Sequence, residues 1–500
     1  MDMFANLIMG FGVALTLQNL AYCFIGVFVG TLIGVLPGLG PLGTIAMLLP
    51  LTFNVPPVAA LIMLAGIYYG AQYGGSTTAI LVNLPGETSA VVTCLDGYQM
   101  ARRGRAGPAL AIAAIGSFVA GTFGTLAIAI AGPPLAEFAL KFGAPEYFSL
   151  MLMSLVAAAV LSQGDMLKSI AMVVLGLLVG IVGTDVTTGT PRFTFDVAEL
   201  SDGIGFIVLA VGIFAIGEIV ANLDQSEERV VFTDKVKNLF PTWEDLKVSI
   251  APILRGTALG SFFGILPGTG PAVAAFAAYM LEKKISKTPE RFGQGAIEGV
   301  AAPEAANNAD AQCKFIPMLT LGLPASGVMA LMLGALTMQG IQPGPEVMTQ
   351  RPELFWGLIA SMWIGNLMLV ILNLPLIGLW VKLLQVPYRL LFPAIMAFSA
   401  IGVYSVNNSA FEIYMTALFG VLGFMWAKLG FSMTPMLLGF VLGPMMEEHL
   451  RRAMLMSRAD PTVFFTRPLS LTFMIATLLI LLIVLLPAFQ RNRKELTAGG

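Results

Sequence analysis

The sequence predicts an all-α polytopic membrane protein made of two inverted-topology repeats, with broken or re-entrant helices and about ten to twelve membrane segments. Three observations lead there: the composition, a duplicated helix-breaking motif, and the unlike charge of the loops that follow its two copies. Of the 500 residues, 57% are hydrophobic and only 11% are charged, against about 25% charged in soluble domains. Mean hydropathy is +0.84. Apolar runs long enough to cross a bilayer recur throughout, and Leu469 to Phe489 is the cleanest.

The same composition excludes several classes. A net charge of -2 spread over so few charges argues against a nucleic-acid partner. Cys23, Cys94 and Cys313 each lie in or beside an apolar stretch and form no disulfide framework. With His449 as the one histidine, a His-rich metal site or a histidine triad is excluded. No Gly-x-x-x-x-Gly-Lys-Ser/Thr and no nucleophile–base pair occurs, so neither an ATP site, another cofactor nor an enzyme is expected. The N-terminus lacks a basic region, Arg102 being the first basic residue, so targeting is expected to rest on the membrane segments.

The duplicated motif is Gly34-Val35-Leu36-Pro37-Gly38-Leu39-Gly40-Pro41, which returns 230 residues later as Gly264-Ile265-Leu266-Pro267-Gly268-Thr269-Gly270-Pro271. Six of the eight positions are identical, and Gly30 and Gly260 match at the same offset. Proline removes a helical hydrogen bond and glycine weakens what remains. Such breaks persist in lipid only where protein or a water-filled cavity covers the freed backbone groups. A matched pair, one per half, points to the substrate site of a transporter. Kinks that only assist packing are the plainer reading.

In chain order, Met1 to Leu17 is expected along the membrane interface. A broken segment follows from about Leu20 to Phe53. Val58 to Val82 reads as an apolar element interrupted at Tyr73–Thr78 and ending at Asn83-Leu84-Pro85-Gly86. Helices are predicted near Pro108–Gly132, Tyr147–Leu161, Lys168–Gly183 and Ile204–Asn222. These make residues 1–222 the first membrane repeat. Residues 223–250, the most charged stretch, read as a cytoplasmic linker, 251–468 as the second repeat, and 469–500 as a last helix with a basic tail. In the second repeat, Phe431–Pro444 is expected to be too short to span. Leu84-Pro85 and Leu323-Pro324 correspond loosely.

Loop charge sets the orientation, since cytoplasmic loops accumulate Lys and Arg. After the first motif, Leu51–Pro57 carries no charge; after the second come Lys283, Lys284, Lys287 and Arg291. After the first Leu-Pro come Arg102, Arg103 and Arg105, whereas Arg351 stands alone after the second. The Arg102 loop, the Arg229–Lys247 linker and the Lys283 loop thus share the cytoplasm, with the halves antiparallel. Simple alternation places Glu447–Arg467 outside.

The substrate-binding candidates are Pro37, Gly38, Gly40 and Pro41 of the first break, and Pro267, Gly268, Thr269, Gly270 and Pro271 of the second. Helix ends facing a cavity offer free N–H groups to carboxylates. Gly74, Gly75, Ser76, Thr77 and Thr78 add three hydroxyls, for a substrate carboxylate or a cation; alternatively they bond back to the preceding turn. Asn307, Asn308 and Asp310, in the polar run Pro303–Asp310, are the cation-coupling candidates, as Na⁺ ligands or a proton site. The competing reading is a solvated loop. Lys314 is expected to snorkel to the interface rather than attract an anion. Glu87, Asp96 and Glu298, at segment ends, are expected to be solvated.

Gly34–Pro41, the run Tyr68–Gly86, Gly264–Pro271, Pro303–Asp310, Leu321–Pro324 and Met446–Arg452 together resemble the large membrane subunit of tripartite tricarboxylate transporters, the TctA family. The resemblance covers nearly the whole chain. It implies a permease of the bacterial inner membrane, working with a small four-helix membrane subunit and a periplasmic solute-binding protein. It further implies ion-gradient-driven uptake of tricarboxylates or related organic acids by an elevator movement. A homo-oligomer is compatible with it, and no metal beyond Na⁺ is implied. A passive anion channel or a structural membrane scaffold is the alternative.

Overall fold

The computed structural model describes residues 3–36, 40–162, 165–185, 187–223, 239–383 and 388–485. The chain is almost entirely helical. We label the helices used below α1 (Met3–Ala14), α2 (Leu17–Val35), α3 (Pro41–Leu48), α4 (Pro57–Val82), α5 (Ala106–Ala139), α6 (Ala144–Leu161) and α7 (Met166–Gly180). Then come α8 (Trp243–Ile265), α9 (Pro271–Ile285), α10 (Glu298–Cys313), α11 (Gly327–Met338), α12 (Pro352–Asn373), α13 (Thr434–Met456) and α14 (Pro468–Leu485). Among the described residues, six helices are long and apolar enough to cross a membrane: α2, α5, α6, α8, α12 and Ala410–Lys428.

Local chemistry sets the helix ends. The Thr16 hydroxyl caps α2 at the amide of Asn19, and Asp165 caps α7 at Leu167 and Lys168. Thr242 and Asp245 form a capping box that starts α8 at Trp243, within the stretch read as linker. Both breaks resume in the same way, with Gly40-Pro41 opening α3 and Gly270-Pro271 opening α9. Proline at the first helical position loses no intrahelical bond.

At the centre lie α4 and α10, buried from Ala59 to Val82 and from Gly299 to Cys313. Helix α2 lies along α4 and α8 along α10, while α5 and α12 complete the surround. Glycine makes these pairings possible. A Cβ on Gly26, Gly30 or Gly34 of α2 would come within 2.3, 2.5 and 2.2 Å of the carbonyl oxygens of Met63, Ile67 and Ala71. On Gly256, Gly260 or Gly264 of α8 it would come within 2.3, 2.1 and 2.6 Å of those of Ala302, Ala306 and Asp310. Small residues at every fourth position bring membrane helix backbones into contact. The two glycine ladders are 230 residues apart and the helices they lie on are 239 apart, so a nine-residue difference falls in the Lys283–Arg291 region.

The same 239-residue register aligns the helix ends. Helix α4 stops at Asn83 (φ 60) and the helix Phe315–Leu321 stops at Gly322 (φ 69), each left-handed and each followed by Leu-Pro. Gly97 packs against both Ile80, near the end of α4, and Val300, near the start of α10, so these helices run in opposite directions.

The charged loops gather at the two ends of α5. At one end Arg105 pairs with Asp245 at 2.5 Å. Beside them, Asp96 accepts the amides of Gly293, Gly295 and Ala296 at 2.9, 2.7 and 2.8 Å. Beyond the other end Arg467 pairs with Glu146, and Arg451 pairs with Asp185 of a small hairpin in which Gly183–Thr184 faces Pro191–Arg192.

Several expectations change. Tyr73–Thr78 does not interrupt its helix; α4 runs unbroken from Pro57 to Val82. The Glu298–Asp310 run is a buried helix, not a solvated loop. Helix α1 packs on α12, Gly10 lying against the Trp356 carbonyl. Phe431–Pro444 lies largely in the 23-residue α13, which is not among the helices long and apolar enough to cross a membrane. Asp96 is fully buried, and Glu298 pairs with Arg291. Lys314 does not snorkel; it is fully buried and paired with Asp310.

Candidate functional site

The polar groups of α4 and α10 meet in the middle of the fold. Ser76 stands 2.5 Å from Glu304, whose other oxygen accepts the Thr93 hydroxyl. From the opposite direction the Asn307 amide donates to Glu87 at 3.2 Å, and Ser89 donates to the same carboxylate oxygen. Each central helix therefore reaches a carboxylate contributed by the other half of the chain. Asn308 donates to Ser117 of α5 at 2.7 Å and to the Glu304 carbonyl at 3.1 Å.

The first break joins this centre through its flanks. The Thr78 hydroxyl donates to the Val35 carbonyl at 2.9 Å, and a Cβ on Gly74 would meet the Thr31 carbonyl at 2.4 Å. A Cβ on Gly86 would fall 2.1 Å from the Gly34 carbonyl and 2.5 Å from the Gly75 Cα, while Glu87 lies over Gly75. The polar run of α4 and the first motif are thus neighbours. Gly40 and Pro41 open α3 beside them; Pro37 and Gly38 lie outside the described residues.

The second break is held differently. The Gly268 amide donates to the Ala325 carbonyl at 3.0 Å. Gly268 itself has φ +81, and a Cβ there would come 2.5 Å from the Ala158 Cα, so glycine is required twice over. Thr269 turns its hydroxyl back to the carbonyls of Phe263 and Leu266 at 2.6 and 2.8 Å, which leaves Gly270 as a helix start without a side-chain cap. Two residues beyond Ala325, Gly327 packs on Leu42, next to Pro41. The loop after Leu323-Pro324 therefore touches both broken segments.

Around this arrangement several buried polar atoms have no protein partner: Tyr69 Oη, the Gln72 amide, Tyr73 Oη, and one side-chain oxygen each of Asn307, Asn308 and Asp310. Buried polar atoms normally find a partner, so these are places for water, ions or a solute. A small cleft lined by Tyr73, Ser76, Thr77, Ser117 and Asn373 adjoins them. Asp310 gives its second oxygen to Lys314, four residues on, and both side chains are fully buried.

Sequence reading missed Glu304 and set Glu87 aside as solvated. Glu304 lies three and four residues before Asn307 and Asn308, the spacing of one helical face, and this was the available signal. Glu87 carried none, since its partner Asn307 is 220 residues away.

A helical multi-pass membrane protein with a buried polar centre between broken helices is the class these features define. Comparison with known proteins gives the family. Residues 20–438 match the family described as "Tripartite tricarboxylate transporter TctA family". The chain belongs to that family, as its motifs implied, and is a transporter membrane subunit rather than an enzyme. It is 58% identical over 495 residues, 99% of both chains, to the "Uncharacterized 52.8 kDa protein in TAR-I ttuC' 3'region" of Agrobacterium vitis. It is also 58% identical over 236 residues to the "Uncharacterized protein in TAR-II ttuC' 3'region" of the same organism, covering 47% of this chain and 98% of that one. No solved structure matches the chain.

Proposed function

We propose that this chain is the permease subunit of a binding-protein-dependent secondary carrier, importing tricarboxylates or related organic acids across the bacterial inner membrane on an ion gradient. One observation carries the reading: Ser76–Glu304 and Asn307–Glu87 cross-link the two motif-bearing units around buried polar atoms that lack protein partners. A packing scaffold has no use for such atoms, whose burial is costly.

The two units, residues 1–222 and 251–468, act as inverted repeats. The opposed directions of α4 and α10, and the gathering of the Arg105, Asp245 and Gly293 loops at one end, support this. Substrate carboxylates bind at the breaks: Pro37, Gly38, Gly40 and Pro41 in the first, Pro267 to Pro271 in the second, with Gly74 to Thr78 beside the first. Their helix N-termini carry partial positive charge. Asn307, Asn308 and Asp310 serve the coupling cation, Na⁺ or a proton, through their unpartnered oxygens. A periplasmic receptor delivers the acid and a small membrane subunit completes the complex. The family's description as tripartite supports both partners. The motif-bearing helices move against the rest in elevator fashion.

The test is uptake by cells carrying Gly38→Leu or Gly270→Leu, Gly270 having open space for a side chain. Both variants should reach the membrane and fail to transport; normal uptake in both removes the site assignment. Uptake that never exceeds equilibrium would favour a channel.

A further inference from the structure

Lys314 is the one buried Lys or Arg among the residues whose side chains are described. Among the described residues its ammonium pairs with the Asp310 carboxylate, whose remaining oxygen has no partner. The pair sits beside the second break. A Cβ on Gly264, where α8 nears its end, would touch the Asp310 carbonyl at 2.6 Å and the Cys313 side chain at 2.8 Å. Helix α10 ends at Cys313, and a new helix starts at Phe315, so Lys314 stands at the joint between them.

The first unit differs at this place. In the 239-residue register the counterpart of Lys314 is Gly75, over which Glu87 lies, and the counterpart of Glu87 is Ser326. One break is therefore flanked by a carboxyl group without a basic partner among the described residues and the other by an ion pair. A buried ion pair gains little for stability over apolar residues of the same volume, so a role in exchange explains its presence better.

We propose that Lys314 and Asp310 form a splittable ion pair that couples the two cargoes. This rests on the carrier reading above. A substrate carboxylate replaces Asp310 at the Lys314 ammonium, and the released Asp310 carboxylate takes a monovalent cation, with the free oxygen of Asn307 three residues earlier on the same face of the helix. At Lys314 and Asp310 themselves charge is conserved, one internal pair becoming two pairs, and the acid's further carboxylates face the helix starts at Gly40-Pro41 and Gly270-Pro271. Neither ion alone splits the pair, because it would leave an unpaired charge in the interior. Coupling then follows from linkage, since each ion raises the affinity for the other by the same factor.

The test is binding of citrate, with malate in parallel, to the full chain in lipid nanodiscs, with Na⁺ or choline as the cation at fixed pH. In the unaltered chain Na⁺ should raise acid affinity about tenfold or more. Asp310→Asn should bind the acid with less than about twofold dependence on Na⁺, because no internal anion competes. Lys314→Met combined with Asp310→Asn leaves no buried unpaired charge and should bind at least about tenfold more weakly than Asp310→Asn alone. A double variant that binds like the unaltered chain makes the pair structural and overturns the proposal. So does an Asp310→Asn chain that keeps full Na⁺ dependence. An unaltered chain that binds neither acid overturns the carrier reading itself, an outcome distinct from both.

Discussion

Ser76 on α4 and Glu304 on α10 are 228 residues apart in sequence and 2.5 Å apart in the fold. The contact fixes the distance between the two motif-bearing units at the level of their buried polar groups. Ser76 also lies 3.0 Å from the Gln72 carbonyl, so its single proton serves the shorter bond and Glu304 holds α4 against α10. The energetics of that contact can be measured. In a double-mutant cycle on Ser76→Ala and Glu304→Gln, the coupling energy in detergent unfolding should be about 1–2 kcal/mol. Additive single effects would mean that the contact carries nothing.

The glycine ladders make a sharper prediction. Gly260→Ala places a methyl group 2.1 Å from the Ala306 carbonyl and should cost about 1–3 kcal/mol by forcing α8 and α10 apart. Gly30→Ala should behave alike against Ile67. Gly12→Ala, with nothing within 4 Å, should leave the melting temperature unchanged or raise it. Equal effects at all three positions would contradict the packing described.

Protonation at the hairpin can be predicted with its sign. Asp185 accepts the Thr187 amide and an Arg451 bond, which together hold its carboxyl down at about 2. A depressed carboxylate contributes stability above its ordinary value, and loses it only as pH falls toward the depressed one. Hydrogen exchange of residues 183–192, corrected for intrinsic rates, should therefore show constant protection from about pH 4 to 8. Arg451→Ala should lower that protection across the whole range. Protection that titrates near pH 5 or 6 would contradict the pairing.

Topology is open to labelling. Cysteines at Arg103 and Lys287 should react from one side of the membrane, and cysteines at Thr188 and Arg458 from the other. Cys23 and Cys313 are buried, so only Cys94 needs replacement first. Labelling of Arg103→Cys and Lys287→Cys from opposite sides would break the inverted-repeat reading.

The sequence made the membrane class and the two breaks legible, because hydropathy and Gly-Pro chemistry act locally. Charge placement grouped the Arg102 and Lys283 loops with the linker, and in the fold Arg105 meets Asp245 while Asp96 meets the Gly293 loop. Long-range partnerships were not legible. Nothing local says that Glu87 waits for Asn307, or that Asp96 gathers three amides from a loop 200 residues away. Polar residues misled for the same reason. Glu298 read as solvated, a solvated loop stayed open as the competing reading of Pro303–Asp310, and Lys314 read as snorkelling, whereas in the fold all of Gly299–Lys314 is buried. Tyr73–Thr78 read as a break because small polar residues weaken helices in water. Inside the fold the Thr77 hydroxyl lies against the Tyr73 carbonyl, Ser76 and Thr78 find Glu304 and the Val35 carbonyl, and α4 stays continuous.

The central claim is that the two units form one ion-driven carrier. Proteoliposomes holding both membrane subunits, supplied with a matched binding protein and labelled citrate, test it most directly under imposed Na⁺ or proton gradients. The predicted result is accumulation above the external concentration that collapses when the gradient is dissipated. Uptake that stops at equal concentrations and ignores both gradients would contradict it.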